Sequence, residues 1–324
     1  MDNLNKFPDN FFISKNLDRL SEHRTDDDWV KDKLINTQTF IIPLSNLKVL
    51  LSDNDRLKTV FLNPAFFNNL NDNQEHFIFL GSIEEKHYFC VNIEDIGLSQ
   101  ENLLLLGKFH ELRVAAPLIE EENAGILGYA RAMIYWHQNH RYCGKCGYPT
   151  QIKLAGHKRI CSNQKCGKEH FPRTDPTIIV LVNHGDKCLL ARQAHWREGQ
   201  YATIAGFVEP GESLEQAVAR EVFEETGIVL NKVWYRSSQP WPFPTSIMLG
   251  FRAESKNTEI SLRDHELEDA RWYSRDEIRN ELKSGSLKLS PKVSISFRLI
   301  EEWFDQIQAG ELLDLLNGLS SSYK

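Results

Sequence analysis

Three glutamates stand close together near the end of one predicted helix. Glu221, Glu224 and Glu225 are three and four residues apart, which places them on one helical face. Like charges at this spacing repel by about 0.2–0.5 kcal/mol per pair. Bound Mg²⁺ or Mn²⁺ relieves that repulsion, since these cations prefer carboxylate oxygens and bridge to phosphate groups. The plainer alternative is an amphipathic helix with a charged end.

The helix that must position these carboxylates carries its own start and stop signals. Ser213 and Gln216 have the spacing of a capping box, and Gly227 follows the last turn. A packing face is formed by three apolar residues at helical spacing, Leu214, Ala217 and Val218. The sequence therefore predicts a helix with one buried stripe that continues into an acidic one.

The stretch GFVEPGESLEQAVAREVFEETGI resembles the Nudix box, G-x5-E-x7-R-E-U-x-E-E-x-G-U with U aliphatic. Its fixed positions are Gly206, Glu212, Arg220, Glu221, Glu224, Glu225, Gly227 and Ile228. The resemblance implies hydrolysis of a nucleoside diphosphate linked to another group, with divalent metals on the box glutamates. We assign Arg220 first to orienting those glutamates through charge-assisted hydrogen bonds. We assign Glu212 first to anchoring the loop before the helix and second to metal binding.

Four cysteines form a second constellation. Cys143 and Cys146 are separated by two residues, Cys161 and Cys166 by four, and both pairs are followed by glycine. Two such turns can build a closed tetrahedral thiolate site, so we predict a structural zinc ion. Two disulfides or free thiols are the alternatives, and the reducing compartment expected below fits them poorly. The isolated Cys90 and Cys188 are predicted to be buried core residues.

Composition limits the compartment and the partners. A chain of 324 residues is long enough for two domains and a small module. A net charge of −7 argues against a protein that coats nucleic acid through bulk charge. No apolar run approaches the roughly 20 residues of a membrane span, and the amino terminus lacks the pattern of a signal peptide. We therefore expect a cytoplasmic protein with no membrane partner.

The order of short apolar runs, turns and helical patterns predicts a mixed α+β and α/β organisation. Residues 1 to about 35 are polar and are predicted to form a loosely structured lead-in. The predicted divisions are a β-rich N-terminal domain (1–110), connecting helices (111–138), a four-cysteine zinc ribbon (139–173) and an α/β/α sandwich of the Nudix type (174–324).

The segment SQPWPFPTS, Ser238–Ser246, follows the box and combines three prolines with two large aromatic residues. Proline fixes the backbone, so Trp241 and Phe243 can form a rigid platform on which flat heterocycles stack. Equally, the prolines can stiffen a crossover whose aromatic rings pack into the core. The residues alone leave these two alternatives open.

This motif, the ribbon and the preceding β-rich domain together are similar to the NADH pyrophosphatase subfamily of Nudix hydrolases, which also removes NAD caps from RNA. The resemblance implies cleavage of NAD(H) to nicotinamide mononucleotide and AMP, with NAD-capped RNA as a further substrate, in a homodimer that uses Mg²⁺ or Mn²⁺. The implied metal ligands are Glu221, Glu224, Glu225 and Glu266. The first three are also the implied catalytic residues, with Glu225 closest to the attacking water.

The resemblance also implies a set of substrate contacts. Phe207 and Phe171 would grip the nicotinamide or the base, and because many relatives carry Tyr at the position of Phe171, stacking is kept while a hydroxyl contact is lost. The aromatic motif would contribute Gln239, Trp241, Phe243 and Ser246. Eight cations against the single acid Glu169 between Arg141 and Arg173 predict a basic surface for RNA, to which we assign Lys158 and Arg159.

Two other functions fit the same residues. One is a Nudix hydrolase of ADP-ribose, a nucleotide sugar or a dinucleoside polyphosphate, which the aromatic motif disfavours. The other is a non-catalytic Nudix-fold regulator, which the complete set of box glutamates disfavours.

Overall fold

The computed structural model describes residues 10–52, 57–67, 74–263 and 266–321, with side chains up to Leu319. The chain forms two compact units. The N-terminal unit holds Phe12–Thr174 and the short later segment Pro240–Thr245. The C-terminal unit holds Asp175–Gln239, residues 10–11 and the described residues from Ser246 onwards. The finer boundaries proposed from the sequence stay predictions.

A mixed sheet is the centre of the N-terminal unit. Its strands are β1 (Thr39–Ser45), β2 (Lys48–Ser52), β3 (Lys58–Thr59), β4 (Ile78–Ile83), β5 (Lys86–Asn92) and β6 (Lys108–His110). They lie in the order β3-β2-β1-β5-β4 with β6 beside β2, and β1 runs parallel to β5. All but one residue of β1 are buried, as its nearly continuous apolar run requires. The predicted β-rich N-terminal domain is confirmed.

The helices of this unit are α1 (Asp27–Leu34), α2 (Leu112–Ala115) and α3 (Glu121–Asn139). The predicted loose lead-in is wrong over α1, because the Asp-rich run supplies a helix cap. The side chain of Asp26 accepts a hydrogen bond from the backbone N–H of Trp29. Residues 1–9 of that lead-in lie outside the described residues. Leu127, Ala130 and Ile134 of α3 are three and four residues apart, and all three are buried, as the apolar face of a helix requires.

The ribbon contains a small antiparallel sheet made of β7 (Thr150–Lys153), β8 (Lys158–Cys161) and β9 (Glu169–His170). Cys161 ends β8, whereas Cys143 and Cys146 precede β7 and Cys166 lies between β8 and β9. Adjacent residues of a strand point to opposite faces. Lys158 is therefore half-buried on one face, whereas Arg159 on the other is only 7% exposed. The same alternation buries Cys161.

A second mixed sheet organises the C-terminal unit. Its elements are β10 (Asp175–His184), β11 (Lys187–Gln193), β12 (Gln200–Tyr201), β13 (Ile204–Phe207), α4 (Leu214–Thr226), β14 (Leu230–Trp241), β15 (Ser246–Ser255), β16 (Leu267–Ser274), α5 (Arg275–Ser284), β17 (Lys288–Leu289), α6 (Ile295–Phe304) and α7 (Glu311–Ser321). The main sheet has the order β14-β15-β10-β11-β16, with β13 beside β10. β10 and β15 are parallel, and β12 pairs with β17 apart from the main sheet.

Each face of this sheet has its own apolar core. Val180 of β10 packs in one core with Val218 and Val222 of α4. Leu181, its neighbour in the strand, packs in the other core with residues of α5 and α6 such as Trp303. A sheet with helices on both faces is the α/β/α sandwich that the sequence predicted.

The run SPKVSISFRLIEEWFDQI near the carboxyl end predicts a helix with Pro291 in its first turn. The helix begins later than this pattern indicates, because α6 starts at Ile295, with Ser294 as its cap. The Ser294 hydroxyl accepts the N–H of Ser296. Among the described helices, none has the length and apolar character that crossing a membrane requires.

Candidate functional site

The acidic helix α4 is held by the caps that its sequence predicts. The Ser213 hydroxyl accepts the N–H of Gln216 at 3.2 Å, and the Gln216 side chain accepts the N–H of Ser213 at 2.9 Å. Gly227 ends the helix in the left-handed conformation with φ 70°. Fixed at both ends, and packed through its apolar face, α4 presents its glutamates from a rigid element.

Arg220 is the centre of the site. Its Nε lies 2.6 Å from Glu212 Oε1, and its Nη1 lies 2.9 Å from Glu221 Oε1 and 3.0 Å from Glu224 Oε2. Nη2 donates to the carbonyl oxygen of Phe207 at 2.9 Å. One guanidinium thus orients three carboxylates and the end of β13 through charge-assisted hydrogen bonds. The orienting role that the sequence assigned to Arg220 agrees with this geometry.

Gly206 explains why a glycine begins the box. A β-carbon at this position would overlap the carboxylate of Glu221, so that side chain lies directly against the backbone of β13. The first glycine of the box therefore makes room for one of its glutamates.

The electrostatics link Glu221 to a residue outside the box. Burial raises the pKa of the Glu221 carboxyl, Arg220 opposes this, and the charges of Glu224 and Glu266 raise it further. Glu212 is the opposite case, since hydrogen bonds from Arg220 and from the N–H of Glu209 lower its pKa to about 2. The acids beside Glu221 thus disfavour its charged form, and a cation would reverse that preference.

The predicted divalent-metal ligands differ in environment. Glu225 is only 3% exposed, whereas the side chain of Glu224 is 50% exposed. Among described residues, the cysteines but not the glutamates have ligand atoms all within 4.8 Å of one another. The carboxylate donors still fit Mg²⁺ or Mn²⁺, because both are hard cations and Glu221 feels the repulsion of Glu224 and Glu266. Their assignment as ligands stays a prediction.

Two predicted ring contacts are exposed. Phe207, the last residue of β13, is 61% exposed, and Phe171, just after β9, is 54% exposed. Both rings are therefore accessible to a ligand. Phe207 belongs to the C-terminal unit and Phe171 to the N-terminal unit. Their joint grip on one ring stays a prediction.

Trp241 and Phe243 lie in an aromatic cluster of the N-terminal unit. Both rings meet Phe12 edge to face, with centroids 5.9 and 5.5 Å away, and they lie 5.2 Å from each other. The guanidinium of Arg113 is 5.5 Å from the Trp241 ring, and that of Arg131 is 5.0 Å from the Phe243 ring. Of the two alternatives, this geometry favours packing. Substrate contact by either ring stays a prediction.

Gln239 is almost completely buried, at 1% exposure, and both ends of its side-chain amide form hydrogen bonds with backbone groups. Its Nε2 donates to the carbonyl oxygens of Val293 at 2.9 Å and Phe11 at 3.1 Å, while Oε1 accepts the N–H of Ile295 at 2.8 Å. This geometry positions the start of α6. Ser246, half-buried at the start of β15, pairs with Asp175. Contacts of Gln239 and Ser246 with substrate stay predictions.

The cysteine sulfurs have the spacing of a zinc site. Cys143 Sγ lies 3.9 Å from Cys166 Sγ, and Cys146 Sγ lies 3.4 Å from Cys161 Sγ. A tetrahedral Zn²⁺ with bonds of about 2.3 Å holds its sulfurs about 3.8 Å apart, so these residues fit the ion. All described cysteines are free, so the disulfide alternative is wrong. Cys90 and Cys188 are fully buried, as predicted.

The basic surface predicted on the ribbon needs correction at Lys158 and Arg159. Arg159 points inward and donates to His137 Nδ1 at 2.8 Å and Thr150 Oγ1 at 2.7 Å. Lys158 pairs with Glu169 at 2.7 Å. Adjacent residues of β8 point to opposite faces, so Arg159 turns inward while Lys158 lies on the other face. The ribbon cations that remain are exposed, namely Arg141, Lys145, Lys153, Lys165, Lys168 and Arg173.

Sequence reasoning missed the residues that hold the aromatic motif. Phe12, Arg113 and Arg131 lie more than a hundred residues from Trp241 in the chain. No local pattern marks them, since their role depends on long-range packing alone.

Family profiles match three consecutive parts of the chain. Residues 172–293 match the NUDIX domain, and residues 138–171 match the NADH pyrophosphatase zinc ribbon domain. Residues 38–136 match the NADH pyrophosphatase-like rudimentary NUDIX domain. The zinc ribbon predicted from four cysteines is thereby confirmed.

Curated relatives match over longer spans. The NAD-capped RNA hydrolase NUDT12 of Homo sapiens is 32% identical over 341 residues, covering 91% of this chain and 73% of that protein. The mitochondrial NAD(P)H pyrophosphatase NUDT13 of Homo sapiens is 39% identical, covering 62% and 61%. The NAD-capped RNA hydrolase NudC of Stutzerimonas stutzeri is 44% identical, covering 53% and 61%.

Proposed function

This chain belongs to the zinc-ribbon NADH pyrophosphatase family of Nudix hydrolases, and from that premise we propose that it hydrolyses the pyrophosphate bond of NADH and NAD⁺. Water would add to one phosphorus, the bridging P–O bond would break, and nicotinamide mononucleotide and AMP would leave. The relatives named as NAD(P)H pyrophosphatase and NAD-capped RNA hydrolase support this reaction.

The observation that carries the proposal is the hydrogen-bonded arrangement around Arg220. It fixes Glu221 and Glu224 of a capped helix together with Glu212 of the loop before it, beside a glycine that leaves room for Glu221. A non-catalytic Nudix-fold regulator has no need to preserve so complete a carboxylate array. The arrangement therefore favours hydrolysis.

We assign the divalent metal, Mg²⁺ or Mn²⁺, to Glu221, Glu224, Glu225 and Glu266. When bound, such a metal neutralises the diphosphate and lowers the pKa of water. The chain's own part is positional: Arg220 holds Glu221 and Glu224 from one side, and the buried Glu225 is the carboxylate that we place nearest the attacking water. Exposed Phe207 and Phe171 would hold the flat rings of the dinucleotide.

NAD-capped RNA is the second substrate that we propose. Its 5′ end contains the same pyrophosphate bond, so removing the cap requires no further chemistry. Two of the relatives described above are named for that activity. Release of nicotinamide mononucleotide from a capped transcript, leaving a 5′-monophosphate, is the expected result.

We also propose a homodimer. Five large apolar side chains between residues 104 and 118 of the N-terminal unit are exposed, namely Leu104, Leu105, Leu106, Val114 and Leu118. Exposed apolar groups in such number are typical of interaction surfaces. Light scattering should give twice the chain mass, and Leu105→Glu with Val114→Glu should give the mass of one chain. A single-chain mass for the wild type contradicts this proposal.

For localisation we propose the cytoplasm, where reduced thiols of a zinc ribbon persist. Fractionation of the source cells should find the protein with a cytoplasmic marker. Since one relative is named mitochondrial, recovery in an organelle fraction is the result that contradicts the assignment.

A substrate screen tests the proposed activity. Purified zinc-loaded protein is offered NADH, NAD⁺, ADP-ribose and diadenosine polyphosphates, with Mg²⁺, with Mn²⁺ and with neither, beside a Glu225→Gln control. We expect the highest kcat/KM on NADH or NAD⁺, only with metal. A preference for ADP-ribose or a diadenosine compound would assign another substrate, and activity on none would favour a binding protein.

A further inference from the structure

A cavity of about 270 Å³ lies within the N-terminal unit, beside the zinc ribbon. Arg141, Tyr142 and Arg159 of the ribbon line it together with His137 of α3 and Asp95. Every residue that lines it belongs to the N-terminal unit, whereas the box glutamates belong to the C-terminal unit. The cavity is therefore separate from the proposed catalytic residues.

The charge at the cavity wall is unusual. Arg159 is 7% exposed, and its guanidinium donates to Thr150 Oγ1 at 2.7 Å, to the Thr150 carbonyl oxygen at 3.0 Å and to His137 Nδ1 at 2.8 Å. These acceptors are neutral: two are oxygens of Thr150, and burial and the Arg159 charge lower the pKa of His137 to about 3. Buried arginines are ordinarily paired with an acid.

The nearby acid does not balance the charge. Of the described residues that line the cavity, Asp95 alone is acidic, and it forms an ion pair with Arg141 at 2.7 Å. Two guanidinium groups thus face one carboxylate, which leaves a positive charge at the wall. Arg159 also lines a second cavity of about 380 Å³, to which Glu75 and Lys153 contribute one charge of each sign.

A phosphate group matches this wall. Its oxygens accept the parallel N–H bonds that guanidinium groups donate, and it brings the missing negative charge. Tyr142 lines the same cavity and is 67% exposed, so its ring can stack on a flat group. The volume is close to the lower limit of about 300 Å³ for ligand pockets, which suits a mononucleotide better than a dinucleotide.

We infer that this cavity is a second binding site, which takes the phosphate of a nucleoside monophosphate on Arg141 and Arg159 and its ring on Tyr142. A purely structural role for Arg159, tying β8 to α3, would account for its three hydrogen bonds. It would leave unexplained why two arginines and an exposed tyrosine border an open space beside a single acid.

The test is calorimetric titration of the full-length zinc-loaded chain with no Mg²⁺ or Mn²⁺ added. The probes are AMP, inorganic phosphate and, as a phosphate-free control, adenosine. The variant Arg141→Gln with Tyr142→Ala removes the rim, and Arg159→Lys keeps the charge but loses the planar fork. Lys145→Gln is the matched control, because Lys145 is an exposed ribbon cation that does not line the cavity.

We expect AMP to bind the wild type and Lys145→Gln equally, and both cavity variants at least about tenfold more weakly, because each loses charge-assisted hydrogen bonds. Unchanged melting temperature and zinc content show that the variants are folded. Tighter binding of AMP than of phosphate identifies a nucleotide as the ligand, and the reverse identifies free phosphate.

Three results overturn the inference: no heat with AMP or phosphate, equal AMP affinity in the wild type and in both cavity variants, or adenosine binding as tightly as AMP. None of them affects the proposed NADH hydrolysis, since that proposal depends on the box glutamates, which do not line the cavity.

Discussion

The carboxylate of Glu221 lies so close to the backbone of β13 that only a glycine at position 206 leaves room for it. Arg220 then holds that carboxylate through Nη1 at 2.9 Å. At the scale of single residues, the function that we propose thus depends on the absence of a side chain at Gly206 and on the guanidinium of Arg220. Both positions belong to the box pattern, so the sequence could indicate them, although it could not show their contact.

Gly206→Ala should separate activity from folding. The added methyl group must displace the Glu221 side chain, which is flexible enough to move without unfolding the strand. We expect NADH turnover to fall by at least about tenfold with a small change in melting temperature. Gly318→Ala, where a β-carbon meets nothing within 4 Å, is the control that should keep full activity. Near wild-type turnover in Gly206→Ala would show that the Glu221 position is unimportant.

The Glu212–Arg220 pair predicts a pH dependence. The pKa of Glu212 is lowered from 4.5 to about 2, so its stabilising effect is fully present above pH 4.5 and is lost as the pH falls through about 2. Glu212→Gln should lower the melting temperature at neutral pH, and the difference from wild type should shrink as the pH approaches 2. A difference that does not change with pH would assign the effect to packing instead of charge.

At the scale of elements, strand alternation in the ribbon decides which cations can meet a ligand. The sequence predicted the ribbon from its cysteines, and it correctly predicted the capping box of α4, because both signals are local. It failed at Arg159, since the face that β8 turns inward depends on α3, which supplies the acceptor His137. It also failed at α1, where acidic residues cap a helix.

The ribbon should unfold or loosen without its metal. Cys143→Ser removes one of four thiolates from a closed site, and such sites contribute folding energy directly. We expect less than one zinc per chain by elemental analysis and a lower melting temperature, whereas Cys188→Ser, in the other unit, should keep its zinc. Full zinc occupancy in Cys143→Ser would contradict the assignment.

The exposed ribbon lysines are the revised prediction for RNA. Lys153→Glu with Lys168→Glu should weaken cleavage of NAD-capped RNA about tenfold, because phosphate contacts are lost, and leave NADH hydrolysis unchanged. The wild-type preference for capped RNA should also shrink as salt rises. Lys256→Glu with Lys283→Glu, exposed cations of the C-terminal unit, is the matched control. Equal losses on both substrates, or none on RNA, would remove the ribbon from RNA binding.

At the scale of the whole molecule, the sequence could not predict which of the two compact units each segment belongs to. Pro240–Thr245 includes the end of β14 and leads into β15, yet it counts with the N-terminal unit, where Trp241 and Phe243 contact Phe12. Contacts across such sequence distances leave no periodic signal. The two sheets, in contrast, follow from apolar runs that can be found by inspection.

We predict that this chain is a metal-dependent NAD(H) pyrophosphatase whose carboxylates act from α4. The most direct test compares wild type and Glu225→Gln by chromatography of the products from NADH in saturating Mg²⁺ or Mn²⁺. Wild type should yield equal amounts of reduced nicotinamide mononucleotide and AMP. Glu225→Gln should be slower by orders of magnitude while keeping its fold and zinc. Near wild-type turnover by the variant, or no cleavage by the wild type, would contradict the account.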